Sequence, residues 1–266
     1  VVNALAFVPG STMENFSVLI WGAFTKVKNT VQNRLTKIDC ITNAGTQVCT
    51  IDQKLVQTTT TSWVNDGAVN TIVFAPGSTR DNFAFFMGGT FTKYATFSQK
   101  YIAKINCTTT SCTLETNFFG NGTSQGASAL VNAIAIAPSD DGSGYDLLIW
   151  GAFLKFNNIS QKYITRVNSE GVLDANFIWT TSTDGADALV ESIVVYDNGV
   201  SVIAGAFTKF NGQPRNRIVQ LESNGEVDNG FNTILPYGPD AVVQSMLIQI
   251  DGKIVVVGLF DAYNGL

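Results

Sequence analysis

Leu19-Ile20-Trp21-Gly22-Ala23-Phe24-Thr25-Lys26 is the stretch on which the fold turns, because it returns. It reappears as Phe85-Phe86-Met87-Gly88-Gly89-Thr90-Phe91-Thr92-Lys93, as Leu148-Ile149-Trp150-Gly151-Ala152-Phe153-Leu154-Lys155, and as Val202-Ile203-Ala204-Gly205-Ala206-Phe207-Thr208-Lys209. A fifth, weaker copy is Val256-Val257-Gly258-Leu259-Phe260. The aligned glycines Gly22, Gly89, Gly151, Gly205 and Gly258 stand 67, 62, 54 and 53 residues apart, so the chain is a repeat protein.

Around each copy the grammar is the same. An alternating apolar stretch comes first, as in Val131–Ile136 or Val190–Val195, and then a turn such as Pro76-Gly77, Asn198-Gly199 or Asp251-Gly252. The Gly-x-Phe strand follows, then a polar loop, then a third alternating stretch (Leu35–Ile38, Ile102–Ile105, Ile164–Val167, Ile218–Leu221). A short turn leads to a fourth strand containing Leu173-Asp174 or Val227-Asp228. Period-two alternation with turn signals between short runs predicts an antiparallel four-stranded sheet per repeat. Units of this size bury their faces only against neighbouring units, as the blades of a β-propeller do.

The expected fold is therefore all-β, a β-propeller of about four and a half blades over residues 1–266. The blades run approximately 1–66, 67–128, 129–188, 189–240 and an incomplete 241–266. The incomplete last blade is the reason to expect a segment of a longer chain.

Gly205-Ala206-Phe207-Thr208-Lys209-Phe210-Asn211-Gly212, then Arg215-Asn216-Arg217-Ile218 and Leu221-Glu222-Ser223-Asn224-Gly225-Glu226-Val227-Asp228 with Phe231, resembles the delta-sixty repeat. That repeat builds propeller-type units in large secreted and surface proteins. The resemblance covers nearly the whole chain and is closest in repeats three and four. It implies a propeller and a surface location, and it carries no shared catalytic motif.

Composition narrows the function. The 266 residues hold no histidine, 16 basic and 21 acidic residues, a net charge of −5, and only 14% charged residues. Without histidine, His-dependent nucleophile activation and His-ligated zinc drop out. Few basic residues argue against nucleic acid as a partner, and no apolar run reaches the ~18–20 residues of a membrane span. Neither a cofactor nor a metal site is expected, beyond covalent N-glycans.

Four cysteines sit at matched places. Cys40 and Cys107 follow the third strand, and Cys49 and Cys112 precede the fourth, where repeats three and four have a tight Ser-x-Gly turn ending at Gly171 and Gly225. Opposed positions across such a hairpin meet the ~4.4–6.8 Å Cα spacing of a disulfide. The expected pairs are Cys40–Cys49 and Cys107–Cys112, which implies an oxidising compartment and an extracellular or cell-surface location.

Asn-x-Ser/Thr sequons occur at Asn15, Asn106, Asn121 and Asn158, about the number this composition gives by chance. Position carries the weight: Asn15 in the turn after strand one, Asn106 at the lip of a cysteine hairpin, Asn121 in a Gly-rich inter-blade loop, Asn158 in the loop after Gly-x-Phe. The Thr58–Thr61 and Thr108–Thr110 runs are further candidates for O-glycans, although Thr is also a good strand residue. Trp21 and Trp150 are expected to pack between blades, whereas Trp63 and Trp179, in less regular segments, are the candidates for partner contact. The aligned carboxylates Asp52, Glu115, Asp174 and Asp228 read as turn caps, and Lys26, Lys93, Lys155 and Lys209 as a solvated or salt-bridged rim. Asp140-Asp141-Gly142-Ser143-Gly144 lacks the spacing of a known calcium loop and reads as an exposed turn.

The expected function is a non-enzymatic structural glycoprotein, a propeller module of a secreted or surface fibre, appendage or matrix. Its partners would be other protein modules or copies of itself. A glycan-binding adhesin of a bacterial or phage surface is the alternative. A carbohydrate-active enzyme comes third, needing a carboxylate pair that the repeats do not single out.

Overall fold

The computed structural model describes residues 1–52, 55, 66–94, 97–118, 126–139, 142, 144–174, 177, 185–232 and 238–266. The chain divides into two compact units, Val1–Asn121 and Gly122–Leu266, holding repeats one and two and repeats three to five respectively.

Small antiparallel sheets make up both units. In the first, β1 (Val2–Phe7), β2 (Asn15–Gly22), β5 (Leu35–Asn43) and β6 (Thr46–Ile51) form a four-stranded sheet in the order β1-β2-β5-β6. The hairpin of β3 (Lys26–Val27) and β4 (Thr30–Val31) stands between β2 and β5 in the chain. Repeat two repeats this with β7 (Val69–Phe74), β8 (Phe83–Gly89), β9 (Lys93–Tyr94), β10 (Phe97–Ser98), β11 (Ile102–Cys107) and β12 (Cys112–Leu114).

The second unit has β13 (Val131–Pro138), β14 (Tyr145–Gly151), β15 (Lys155–Phe156), β16 (Ile159–Ser160) and β17 (Ile164–Asn168) in repeat three. Repeat four has β18 (Val190–Val195), β19 (Ser201–Gly205), β20 (Lys209–Phe210), β21 (Gln213–Pro214) and β22 (Ile218–Leu221). Repeat five has β23 (Val243–Ile248) and β24 (Ile254–Gly258).

Two details differ from expectation. The fourth strand is full only in repeats one and two; in three and four it shrinks to single bridges, Val167–Leu173 and Leu221–Val227. In repeat three the Asp174 carbonyl accepts the Phe177 N–H (3.1 Å), and the Phe177 ring is buried. The loop after Gly-x-Phe is itself a hairpin. Its turn residues, such as Asn157-Asn158 (φ 48° and 63°) and Asn211-Gly212 (φ 49° and 71°), are both left-handed, as a two-residue hairpin of matching twist requires.

The repeated glycine has one steric cause. Opposite it, each first strand carries a bulge, seen as a register shift at Val2/Ala4, Val69/Thr71, Val131/Ala133, Val190/Ser192 and Val243/Ser245. The carbonyl of the residue just before the bulge's first residue faces the glycine. A Cβ there would lie 2.4 Å from the Val1 oxygen at Gly22, and 2.1–2.2 Å from those of Ala68, Leu130, Leu189 and Val242 at the other four. The same carbonyls accept the next N–H in the chain, from Ala23, Thr90, Ala152, Ala206 and Leu259, at 2.8–3.0 Å.

A second lock holds the other side. Arg34, Tyr101, Tyr163 and Arg217 sit at φ 61–67°, a region unfavourable to large side chains. Each donates its N–H to the carbonyl of the Gly-x-Phe phenylalanine (2.8–2.9 Å) and accepts from the glycine N–H (2.9–3.0 Å). Two good backbone hydrogen bonds per residue offset the strain.

Sheets bury their faces on one another. Within the first unit the core joins Leu19, Trp21 and Leu35 of repeat one to Val69, Ile72, Phe85 and Met87 of repeat two. Within the second it joins Leu148, Trp150 and Ile164 of repeat three to Val190, Ile193, Ile203 and Val219 of repeat four. The two tryptophans pack as expected, and each also donates its indole N–H to a bulge carbonyl of the following repeat: Trp21 to Asn70 (3.2 Å), Trp150 to Glu191 (3.4 Å).

Gly205→Ala is therefore expected to destabilise the second unit by about 3 kcal/mol or more through backbone collision. Gly252→Ala, at φ 79° but with open space around it, should cost about 1–2 kcal/mol. Urea unfolding of both variants measures the difference.

Candidate functional site

Chemistry-bearing residues recur at fixed places, and their contacts show what they do. Asp52, Glu115, Asp174 and Asp228 each donate their backbone N–H (2.9–3.1 Å) to the third-strand residue Lys37, Lys104, Arg166 or Gln220. Side chains pair across the same rung. Lys37 Nζ lies 2.7 Å from Asp52 and 2.8 Å from Asp39. The Arg166 guanidinium holds Asp174 and, at 3.7 Å, Asp146, and Gln220 donates to Asp228 at 2.8 Å. Glu115 accepts from Asn106 Nδ2 at 3.1 Å.

The turn-capping role holds in part, since Asp228 accepts the Gly230 N–H at 2.7 Å. The larger role is a cross-strand one that the repeat spacing did not reveal. Cation and ring then stack: Arg166 lies 5.0 Å from the Phe177 centroid, and Lys104 lies 5.6 Å from that of Phe118. Arg166 also donates to the Ser223 carbonyl, tying repeat three to the turn of repeat four.

A second recurring group escaped the sequence reading. Asp66, Ser128, Asp187 and Asp240 each stand three residues before the first valine of a first strand. They cap the turn after Gly-x-Phe. Asp187 accepts from the Thr208 N–H (2.7 Å), the Lys209 N–H (3.0 Å) and the Thr208 hydroxyl (2.9 Å). Asp66 does the same with Thr92 and Lys93, Ser128 with Leu154 and Lys155, and Asp240 with Asp261 and Ala262. Desolvation opposes ionisation of Asp187, but the hydrogen bonds from Lys209 and Thr208 outweigh it and hold the carboxyl below its ordinary 3.8. Asp66 is lowered for the same reason, against the same desolvation.

The hairpin is clamped from a third side in the second unit. Asn157, Asn211 and Asn264 accept the N–H of Gly126, Gly185 and Gly238 through Oδ1 (2.5–2.7 Å). They return their own N–H to the same glycines' carbonyls at 2.9–3.0 Å.

Both disulfides form as expected. Cys40 and Cys49 face each other across β5 and β6, and Cys107 and Cys112 across β11 and β12. Their Cα atoms are 4.1 and 4.0 Å apart, slightly under the spacing expected, as directly opposed residues of an antiparallel pair can be.

The sequons differ in setting. Asn158 is exposed at the tip of its hairpin. Asn106 is half-buried within β11, with its amide on Glu115. Asn15 is the first residue of β2 rather than a turn residue, and is half-buried. Asn121, Trp63, Trp179, the Thr58–Thr61 run and Asp140, Asp141 and Ser143 lie outside the described residues. Lys26, Lys93, Lys155 and Lys209 are exposed at the base of their hairpins.

Among the described residues no cluster of three or more His, Cys, Asp or Glu is placed to hold a metal ion, and no helix is long and apolar enough to cross a membrane. The surface does carry apolar ground. One hollow in the first unit, about 590 Å³, is lined by Phe7, Val8, Pro9, Met13 and Phe16 among others. A groove of about 550 Å³ in the second unit lies among Tyr196, Ile218, Phe231, Ile254, Val256 and Phe260.

Comparison with known families finds a similarity to a β-propeller domain of unknown function (DUF5122) over residues 147–177, 198–231 and 249–266, about a third of the chain. The first two segments begin within or just before the Gly-x-Phe strands of repeats three and four and end at the aromatic anchors Phe177 and Phe231. The third spans β24. No curated protein matches the chain.

Removing one partner of a buried ion pair leaves the other under-compensated; Arg166 keeps Asp146 and the Ser223 carbonyl, so Asp174→Ala should cost about 3 kcal/mol, the low end for such a loss. Asp228→Ala, facing neutral Gln220, should cost about 1 kcal/mol; thermal unfolding compares them. A carboxyl lowered in the folded state contributes stability that is present above its unfolded pKa and lost as pH falls through the folded one. Asp187→Asn is therefore expected to flatten the fall in stability below about pH 4, read as urea midpoint against pH.

Proposed function

We propose that the chain is a non-enzymatic extracellular structural glycoprotein, a β-propeller module of a cell-surface or secreted fibre, appendage or matrix. In this reading its sheets are delta-sixty-type blades, about four and a half in this segment, and its partners are other modules or copies of itself. The observation that carries it is the pair of disulfides. They staple equivalent hairpins in repeats one and two, where repeats three and four make do with a short Ser-x-Gly turn.

Such bridges persist in oxidising compartments and, with no membrane-crossing helix among the described residues, are compatible with secretion. The recurring carboxylates support the same reading, because they are engaged in ion pairs and caps. Among the described sequons, Asn158 is the exposed one and the best-presented glycan acceptor.

A glycan-binding adhesin is the second reading. It is favoured by the exposed hollow at Phe7, Met13 and Phe16, where Phe7 and Phe16 meet edge to face at 5.6 Å. An aromatic wall of this kind offers sugars a stacking surface.

A non-reduced peptide mass map of native material, with and without enzymatic N-glycan release, separates the readings. Linked Cys40–Cys49 and Cys107–Cys112 with an occupied Asn158 is the result expected. Bare asparagines with both bridges intact would favour the adhesin, and four free thiols would overturn the extracellular reading. Reduction of both bridges should cost roughly 2–3 kcal/mol each from loop closure and lower the first unit's melting temperature by about 20 °C.

A further inference from the structure

Repeat one has an outer edge that the other repeats lack. β6 ends its sheet and runs for six residues, Thr46–Ile51, in unbroken register with β5. In repeat two the fourth strand is the three-residue β12, and in repeats three and four it is a single bridge. The fourth strand is the last of its sheet in repeats one and two alike, so the edge belongs to the repeat. Folded proteins blunt such edges with short strands, lysine, proline or a bulge. β6 has none of these and carries no charged residue.

The alternation of an antiparallel ladder sets which backbone groups line that edge. Asp52 donates its N–H to the Lys37 carbonyl of β5, so Thr50 and Val48 also face β5, and Cys49 and Gln47 turn their N–H and C=O outward. The opposite strand agrees: Thr42, paired with Gln47, sends its N–H away from β6 to the Glu14 carbonyl. No described residue meets the outward backbone groups of Gln47 or Cys49. The hairpin is stiff, with both turn residues, Ala44 and Gly45, left-handed (φ 48° and 79°) and the Cys40–Cys49 bridge closing one rung. On the next rung Ile41 and Val48 oppose each other, and they are 45% and 53% exposed.

We propose that the outer edge of β6 is a self-association site, where β6 of a second copy of this chain adds antiparallel about a two-fold axis through Val48. That axis sets Gln47 opposite Cys49 of the second copy and Cys49 opposite its Gln47, so the outward N–H and C=O groups of both strands satisfy one another. Val48 meets its own copy at the axis and Ile41 flanks it on either side, which takes a row of exposed apolar side chains out of water. An uncharged strand meets no like-charge repulsion when it pairs with itself, and the register above is self-complementary; both favour a second copy over a foreign strand. Among the described residues each copy has one such edge, so the contact closes at a dimer.

The site rests on the structural reading above for its use but not for its geometry, and its test is separate from the mass map. Sedimentation of the 266-residue chain should show a monomer–dimer equilibrium with a Kd of about 1–100 μM, as small contacts give. Val48→Lys, which sets two ammonium groups together at the axis, should weaken it by about tenfold or more. Thr113→Lys, exposed on β12, should change it by less than about twofold. Hydrogen exchange of the unaltered chain should slow at the Gln47 and Cys49 amides as concentration rises through the Kd, a readout that needs no variant. A monomer throughout, a dimer indifferent to Val48→Lys, or protection confined to other strands would each overturn the site. With both bridges linked and Asn158 occupied, the structural reading would then stand without it.

Discussion

A carbonyl oxygen pressed against a glycine Cα recurs in all five repeats, and much of each repeat's geometry follows from it. That carbonyl belongs to the residue just before the first-strand bulge and faces the Gly-x-Phe strand, where it accepts the N–H of the residue after the glycine. With the acceptor fixed there, no Cβ fits at Gly22, Gly89, Gly151, Gly205 or Gly258. Beyond the glycine the chain bends away from the sheet, and the phenylalanine two residues on is carried inward. Phe91, Phe153 and Phe207 are fully buried, the last two against Phe156 and Phe210 of the hairpin that follows. Bulges commonly re-aim a chain in this way; here one does so at every repeat.

Charge is scarce in this chain and is spent locally. In repeats one and three a third-strand cation meets a fourth-strand carboxylate across one rung, and Asp66, Asp187 and Asp240, with Ser128 in repeat three, cap the hairpin turns. Buried ion pairs of this kind add little net stability, because desolvation offsets their attraction, but a pair with one member missing is costly. They therefore act on register: slipping the hairpin by one residue would bury Arg166 without Asp174. Repeats one and two add a covalent staple at the end of the same hairpin.

Much of this is legible in the amino-acid sequence. The repeated glycine, the alternating third strand and the matched cysteines fix sheet order and disulfide pairing, because a period-two pattern and an opposed hairpin pair leave few alternatives. What stayed hidden depended on contacts between segments far apart in sequence. Asp187 looks like any loop aspartate until Thr208 and Lys209 fold back onto it. The pairing of Arg166 with Asp174 was equally invisible, since spacing alone does not distinguish a cap from a cross-strand partner. The small hairpins read as polar loops because two residues per strand are too few for a pattern to show, although Asn211-Gly212 was a turn signal in plain view. Asn15 misled for a simpler reason: β2 begins several residues before its apolar run.

Native-state hydrogen exchange at Thr90, Ala152 and Ala206 tests the glycine lock most directly, since each of these amides donates to the carbonyl that faces the glycine at 2.9–3.0 Å. Protection close to that of the central strands, reaching the global unfolding limit, is the result expected. Exchange as fast as that of the exposed hairpin tips, with the central strands still protected, would contradict it and remove the steric reason for the repeat.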